Sequence, residues 1–289
     1  MKIVVKAFAK INLYLDITGV NDIGYHLLDS IMQSVTLYDE VEIERNESGE
    51  IKILCDNPEI PCDERNIAYK AARLFFDKIG CDDRGVTINI KKVIPHQAGL
   101  GGGSADAAGV FVALNKLYGA NLSQEELCEI GVKVGADVPF CIVGGTKRAQ
   151  GIGEQFTALP SMPSCSIVIA KPNFGVSTAQ AYSDYDKIEN PQRLDVCTAL
   201  TALQNGDVNT LANGLYNAFE QVVPDAELNE IKSVMLQCGA KGCLMSGSGS
   251  AIFALFSDET KAKTCADTLN GMGINSHLCV PSADGCQIL

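Results

Sequence analysis

The stretch Pro95-His-Gln-Ala-Gly-Leu-Gly-Gly-Gly-Ser-Ala-Asp-Ala-Ala-Gly109 constrains this chain more than any other. Gly99, Gly101, Gly102 and Gly103 let the backbone curl tightly and come close to a ligand. Ahead of them, Val86, Ile88 and Ile90 alternate with Thr87, Asn89 and Lys91, which predicts a half-buried strand ended by Pro95. Behind them, Ser104 opens the Ala-rich segment 105–118, which reads as a helix buried by small residues. A helix starting at such a loop turns its free N–H groups and the positive end of its dipole toward it. That makes an anion site without basic residues. The Ser104 hydroxyl either caps the helix or touches phosphate or Mg2+.

Other Gly-rich sites fit less well. A P-loop needs G-x-x-x-x-G-K-[ST], and no Lys follows this loop. Gly99-x-Gly101-x-x-Ser104 is one residue from a dinucleotide fingerprint, but it does not open the first βαβ unit. A protein kinase would carry H-R-D and D-F-G, and both are missing. A Gly-rich turn that only packs a helix tightly remains open. Two further segments favour phosphate. Lys10-Ile-Asn12 ends the first strand, where side chains project into a cleft. Ser246-Gly-Ser-Gly-Ser250 is a second glycine turn, between two apolar strands. Alone, each reads equally as a surface charge or a hairpin.

A chain of 289 residues suggests two domains. Hydrophobic residues at 46% against 20% charged exclude dominant disorder. The net charge of −12 argues against general nucleic-acid binding, though not against a local anion site made of backbone N–H groups. No apolar run approaches a membrane span, and the N-terminus lacks the apolar core of a signal peptide, so a cytoplasmic protein is expected. The twelve cysteines have no C-x-x-C spacing and only three histidines beside them. They read as small buried hydrophobes, with Cys279 and Cys286 as candidates for exposed thiols.

Residues 2–8 and 35–44 alternate as strands, and 51–54 is expected to pair with the latter across the turn at 46–50. Residues 66–78 predict a helix followed by Gly80 as its left-handed stop. Ser123-Gln-Glu-Glu126 is a capping box; the helix it starts ends at Gly135, leaving Asp137 in the turn beyond. Residues 140–143 read as a short apolar strand. Two prolines and small residues at 158–164 suggest a junction between units 1–157 and 158–289. A strand at 166–170, helices, strands at 242–245 and 251–256, a helix at 258–270 and a strand at 274–280 complete the chain. Irregular alternation with hairpins favours α+β with mixed or antiparallel sheets.

Three of these segments together resemble the motifs of the GHMP kinases, named for galacto-, homoserine, mevalonate and phosphomevalonate kinases. Ala9-Lys-Ile-Asn-Leu13 is similar to their first motif, Ala98-Gly-Leu-Gly-Gly-Gly-Ser-Ala-Asp-Ala-Ala108 to their ATP-phosphate motif, and Leu244-Met-Ser-Gly-Ser-Gly-Ser-Ala-Ile-Phe253 to their third. The resemblance implies a ribosomal-protein-S5-like N-terminal domain and a ferredoxin-like α/β C-terminal domain, with the active site in the cleft between. It implies ATP and Mg2+, with ATP held by Pro95, Ala98, Gly99, Leu100, Gly101, Gly102, Gly103, Ser104 and Ala105.

Gly24-Tyr-His-Leu-Leu-Asp-Ser-Ile-Met-Gln-Ser34, Gly135-Ala-Asp-Val-Pro-Phe140, Gly144-Gly-Thr-Lys-Arg-Ala-Gln-Gly-Ile-Gly-Glu154 and Lys171-Pro-Asn-Phe-Gly-Val-Ser-Thr-Ala-Gln-Ala-Tyr182 narrow the resemblance. They are similar to the branch that phosphorylates the 2-hydroxyl of a diphosphocytidyl-linked methylerythritol in the non-mevalonate isoprenoid route. That branch implies Lys10 and Asp137 as catalytic residues, Asp137 acting as base or as orienting acceptor for the hydroxyl. Tyr25 and Tyr182 would sandwich the cytosine, His26 would read its polar edge, and Asn12 and Thr178 would touch polar groups of the substrate. Asp106 would complement the helix dipole or contact Mg2+ through water, and no metal ligand set is assigned. Ser246, Gly247, Ser248 and Gly249 would shape the floor of the site. The segment Val20-Asn-Asp-Ile-Gly24 and the missing hydroxyl at Ala105 depart from the branch's usual pattern. The alternatives are a GHMP kinase for homoserine or mevalonate, and a non-catalytic binding protein of the same fold. The expected partners are the small-molecule substrate and ATP, with no nucleic acid or membrane, in a monomer or homodimer.

Overall fold

The computed structural model describes residues 1–223 and 226–289. In chain order it runs β1 (Lys2–Val20), β2 (His26–Arg45), β3 (Ile51–Cys55), α1 (Ile67–Ile79), β4 (Val86–Lys91), α2 (Gly102–Tyr118), α3 (Gln124–Gly131) and α4 (Val138–Val143). Then come β5 (Thr146–Gly151), β6 (Gln155–Ala158), β7 (Ser166–Lys171), α5 (Thr178–Tyr185), α6 (Cys197–Asn205), α7 (Val208–Asn213), β8 (Tyr216–Asn217) and α8 (Ala226–Gln237). The chain ends with β9 (Gly242–Met245), β10 (Ile252–Phe256), α9 (Glu259–Gly271), β11 (Asn275–Cys279), β12 (Pro281–Ser282) and β13 (Cys286–Ile288).

Two sheets organise these elements. The first has the order β13-β1-β2-β4-β3, with β5, β6, β8 and β12 attached to it. The second is antiparallel, in the order β11-β7-β10-β9. The α+β reading with mixed and antiparallel sheets therefore holds. The C-terminal β13 returns to the first sheet, Val5 facing Ile288, so the two halves share their last strand pair.

Local chemistry explains the frame. The Asn66 side chain caps α1 by accepting from the Ala68 N–H, and Gly80 ends it at φ 62°. Ser123 and Glu126 form the full capping box of α3. Helix α2 lies so close to the first sheet that a Cβ on Gly109 would sit 3.0 Å from Val41 Cγ2 and 3.3 Å from Ala7 Cβ. Ala105, Ala107 and Ala108 are fully buried beside it. In the second sheet Ile167 and Ile169 face one core while Val168 and Ala170 face the other. Burial on both faces accounts for an unbroken apolar run there.

Five expectations are corrected. Lys10 and Asn12 lie in the middle of β1, which runs on to Val20, and α3 stops at Gly131, short of Gly135. Strand β3 pairs with β4, parallel, and not with β2 across a hairpin. Helix α1 lies between them in sequence, so β3–α1–β4 is a crossover unit, and β4 takes the edge of β2. Residues 140–143 are the end of helix α4, not a strand; Val138 to Ile142 are buried on every side, which erases the periodicity that separates the two. Cys279 is buried and Cys286 half-buried, whereas Cys62 and Cys197 are the exposed thiols. Burial holds the Cys165, Cys279 and Cys286 thiols up at about 12, so they stay protonated and unreactive.

Candidate active site

The glycine loop sits where the two sheets meet. Lys10 N–H donates to Leu100 O at 3.0 Å from the first sheet, and Ala251 N–H donates to Ala98 O at 3.1 Å from the second. Gly99 and Gly101 are left-handed, at φ 72° and 69°. At Gly99 a Cβ would lie 1.9 Å from Ser246 O, so the close approach demands glycine. The helix α2 begins at Gly102, with Gly101 as its N-cap and no side-chain cap. Ser104 therefore does not cap it, and lies within its first turn. The first N–H in the helical ladder is that of Ala105, bonded to Gly101 O at 2.8 Å. The N–H groups of Gly102, Gly103 and Ser104 lie ahead of that ladder, in residues that line the cavity.

Lys10 stands beneath this loop, almost wholly buried, its Nζ 2.6 Å from Asn12 Oδ1 and 3.6 Å from Asp137 Oδ2. Asn12 is held in turn: its Nδ2 donates to Ser30 Oγ at 2.9 Å, and Ser30 Oγ donates to Tyr14 O at 2.7 Å. Asp137 occupies the N-cap position of α4 yet makes no capping bond. Its carboxylate, about two-fifths exposed, is left to face Lys10 and the cavity.

That cavity has a volume of about 880 Å3 and runs along the loop. Lys10, Asn12, Asp137, Pro95, the segment from Ala98 to Ser104, Asp106, Thr178, Tyr182, Gly247, Ser248 and Gly249 line it. Ala105, Ser246, Tyr25 and His26 do not. Ala105 is a buried residue of α2, and Ser246 is buried where its Oγ donates to Gly99 O at 3.0 Å. The Ser246–Gly249 turn is tied to α5 by a 2.8 Å contact between Thr178 Oγ1 and Ser248 Oγ.

At the far end, Tyr182 packs face to face with His26 at 4.3 Å and meets the edge of Phe219 at 4.9 Å. His26 Nε2 lies 2.7 Å from Asp186 Oδ1. Burial, with the Asp137 charge behind it, raises the Tyr182 hydroxyl to about 12. The sandwich expected of Tyr25 and Tyr182 is not assembled: Tyr25 is 57% exposed on the turn after β1, and the ring against Tyr182 is that of His26.

Sequence reasoning missed an ion cluster behind the loop. Lys92 Nζ lies between Asp39, in β2, and Asp106 Oδ2 (2.7 Å). Asp39 Oδ1 also accepts from the N–H groups of Val93 and Ile94, at 2.6 and 2.8 Å. Asp106 Oδ1 is buried with no partner. Burial drives the Asp106 carboxyl well above the usual range, against the pull of Lys92 and with the push of Asp39. Asn217 was missed too; its Nδ2 donates to both Met245 O and Gly247 O at 2.7 Å, fixing the second glycine turn.

Comparison with known proteins bears on this geometry. Residues 66–145 match the GHMP kinases N terminal domain, and residues 199–275 the GHMP kinases C terminal domain. The chain is 45% identical over 267 residues to a 4-diphosphocytidyl-2-C-methyl-D-erythritol kinase of Clostridium beijerinckii, covering 92% of this chain and 95% of that one. It is 46% identical over 259 residues to the enzyme of the same name from Clostridium acetobutylicum, covering 89% and 91%. The crystal structure of a 4-(cytidine 5'-diphospho)-2C-methyl-D-erythritol kinase superposes with TM-score 0.80 at 33% identity, over 98% of this chain and 99% of the other. A homoserine kinase from Cytophaga hutchinsonii, 20% identical, superposes with TM-score 0.77 over 100% and 97% and shares the fold. The chain therefore belongs to the GHMP kinases and, among them, to the 4-diphosphocytidyl-2-C-methyl-D-erythritol kinases.

Proposed function

We propose that this kinase transfers the γ-phosphoryl group of ATP to the 2-hydroxyl of 4-diphosphocytidyl-2-C-methyl-D-erythritol, giving the 2-phosphate and ADP, a step of the non-mevalonate route to isoprenoid precursors. The observation that carries the reading is the Lys10–Asp137 pair at 3.6 Å, set under the open N-terminus of α2 in one continuous cavity with Tyr182.

Phosphoryl transfer asks mainly for alignment and charge neutralisation. The N–H groups of Gly102, Gly103 and Ser104 hold the polyphosphate. The Lys10 ammonium, oriented by Asn12, faces the transferred group. Asp137 accepts the hydrogen bond of the 2-hydroxyl and aims its oxygen at the γ-phosphorus. As the new P–O bond forms and the bond to the ADP oxygen breaks, the hydroxyl proton passes to Asp137 Oδ and on to solvent. The cytosine takes the place of the His26 ring on the face of Tyr182, and the exposed Tyr25 ring swings onto the other side of the base. His26, braced by Asp186, reads the polar edge, while Asn12 and Thr178 meet polar groups of the substrate.

Among the described residues no cluster of three or more His, Cys, Asp or Glu side chains suits a metal ion. The donors present fit a Mg2+ carried by the ATP phosphates, which needs only one or two protein oxygens. Ser104 Oγ would approach it directly, and Asp106, enclosed behind the loop, would act through water. When bound, Mg2+ neutralises charge on the β- and γ-phosphate oxygens. No helix among the described residues is long and apolar enough to cross a membrane.

The test is ADP release from ATP and Mg2+ with the diphosphocytidyl acceptor, beside homoserine and mevalonate. Turnover with the cytidyl acceptor alone is expected. Turnover with another alcohol instead would keep the phosphate loop and remove the roles given to Tyr25, His26 and Tyr182.

A further inference from the structure

Among the described residues, the non-glycine positions in the left-handed region are Gln97, at φ 50°, and Asn121, at φ 53°. Asparagine tolerates that conformation; glutamine is not among the residues enriched there. Gln97 lies in the phosphate loop, two residues before Gly99, and lines the nucleotide side of the cavity. Its side chain crosses to the other lobe and fills the space over Gly175. A Cβ on Gly175 would lie 2.6 Å from Gln97 Oε1 and 3.1 Å from Gln97 Cβ.

Gly175 belongs to a braced connection. Lys171 Nζ donates to Pro172 O at 2.8 Å and to Phe174 O, and Ser250 Oγ also donates to Phe174 O. Two residues beyond Gly175, Ser177 caps α5 by accepting from Gln180 N–H. That helix carries Thr178 and Tyr182. Val176 reaches back as well: a Cβ on Gly249 would lie 3.4 Å from Val176 Cγ2. The contact at Gly175 thus joins the loop at Gln97 to the start of α5.

We infer that Gln97 is a positioning residue that couples the two substrates: polyphosphate in the loop fixes Gln97, and Gln97 against Gly175 fixes the helix that holds the acceptor. The inference rests on the acceptor proposed above. Two sites coupled this way have reciprocal affinities, each ligand tightening the other by the same factor. Because the contact is one of shape, length matters more than the amide.

The experiment is calorimetric titration of the full chain with 4-diphosphocytidyl-2-C-methyl-D-erythritol, with and without a saturating non-hydrolysable ATP analogue and Mg2+. For the wild type the analogue should tighten acceptor binding by about fivefold or more, the lower end of typical coupling. Gln97→Gly keeps the backbone conformation and removes the side chain, and should bring the ratio close to one. Gln97→Asn keeps an amide but falls a methylene short, and should do the same. Gln97→Met keeps the length and should retain most of the ratio. An unchanged ratio in Gln97→Gly overturns the inference. So does a wild type that turns the acceptor over yet shows a ratio of one. A wild type that binds no acceptor refutes the substrate reading itself, and the coupling with it.

Discussion

Gly99→Ala separates backbone strain from a steric clash at the heart of the site. Alanine at φ 72° carries the left-handed penalty, roughly 1–2 kcal/mol. The new methyl would also lie 1.9 Å from Ser246 O. An ordinary carbon–oxygen approach is about 3.3 Å, so loop and turn must part by roughly 1.4 Å. Neither side yields freely: Ser246 is fully buried, and its Oγ is bonded to Gly99 O. A misplacement of about 1 Å at a reacting group costs about a hundredfold in rate, which is about 2.7 kcal/mol of activation energy. Gly119→Ala is the control. Its φ is 59°, and a Cβ there meets nothing within 4 Å. Both variants should lose folding stability from strain, Gly99→Ala the more because the clash adds to it, and only Gly99→Ala should lose kcat by about two orders of magnitude. The assay is ADP release at saturating ATP and acceptor, alongside denaturant midpoints. Wild-type kcat and ATP KM in Gly99→Ala would refute the claim that the loop is set by its approach to Ser246.

Other expectations follow from single contacts. Asp137→Asn should abolish turnover while nucleotide affinity by titration stays nearly intact, and preserved turnover would remove Asp137 from the mechanism. Tyr182→Ala should raise the KM of the acceptor more than that of ATP; equal effects would argue against base stacking. Lys92→Met leaves the buried acids Asp39 and Asp106 without the ammonium they share and should destabilise the fold by about 3–5 kcal/mol, read from denaturant midpoints; an unchanged midpoint would deny the cluster a structural role. Asp106→Asn tests the same cluster through pH. Burial raises the Asp106 carboxyl well above its ordinary value, so the folded protein holds a proton that the unfolded chain has released. The stability tied to that proton is full below the ordinary carboxylate range and is lost as pH rises through the raised value. The variant escapes this loss and leaves Lys92 paired with Asp39. It should therefore gain on the wild type as pH rises above the ordinary carboxylate range, and an equal pH slope in both would be the contrary result.

What could be read in the sequence, and what could not, follows from which atoms carry the information. The loop from Gly99 to Gly103 was legible because left-handed backbone and close approach both demand glycine, and each leaves its mark in the letters. Gly80, and Ser123 with Glu126, were legible for the same local reason. Strand β3 was misread because nearness in sequence favours a hairpin, whereas the crossover through α1 decides the pairing. Helix α4 was misread because burial on all sides removes its period. The roles proposed for Lys10 and Asp137 came from resemblance; the two stand 127 positions apart, which leaves no spacing to read.

The supports of the site were the least legible. Asp39 and Lys92 are 53 positions apart, and a Lys following Lys91 reads as a second surface charge. Asn217 bonds to the carbonyls of Met245 and Gly247, atoms that every residue type possesses. A buried amide is obliged to find partners, but when these are backbone carbonyls nothing at positions 245 and 247 records the need. The distinction carries into mutagenesis. Replacing Asn217 with Leu should strand two carbonyls and loosen the Ser246–Gly249 turn, raising KM for both substrates because that turn touches the phosphate loop at Gly99 and the acceptor helix at Thr178. Steady-state titration of each substrate measures this. A rise confined to one of them would mean that the turn serves one site, and that the two sites are held independently.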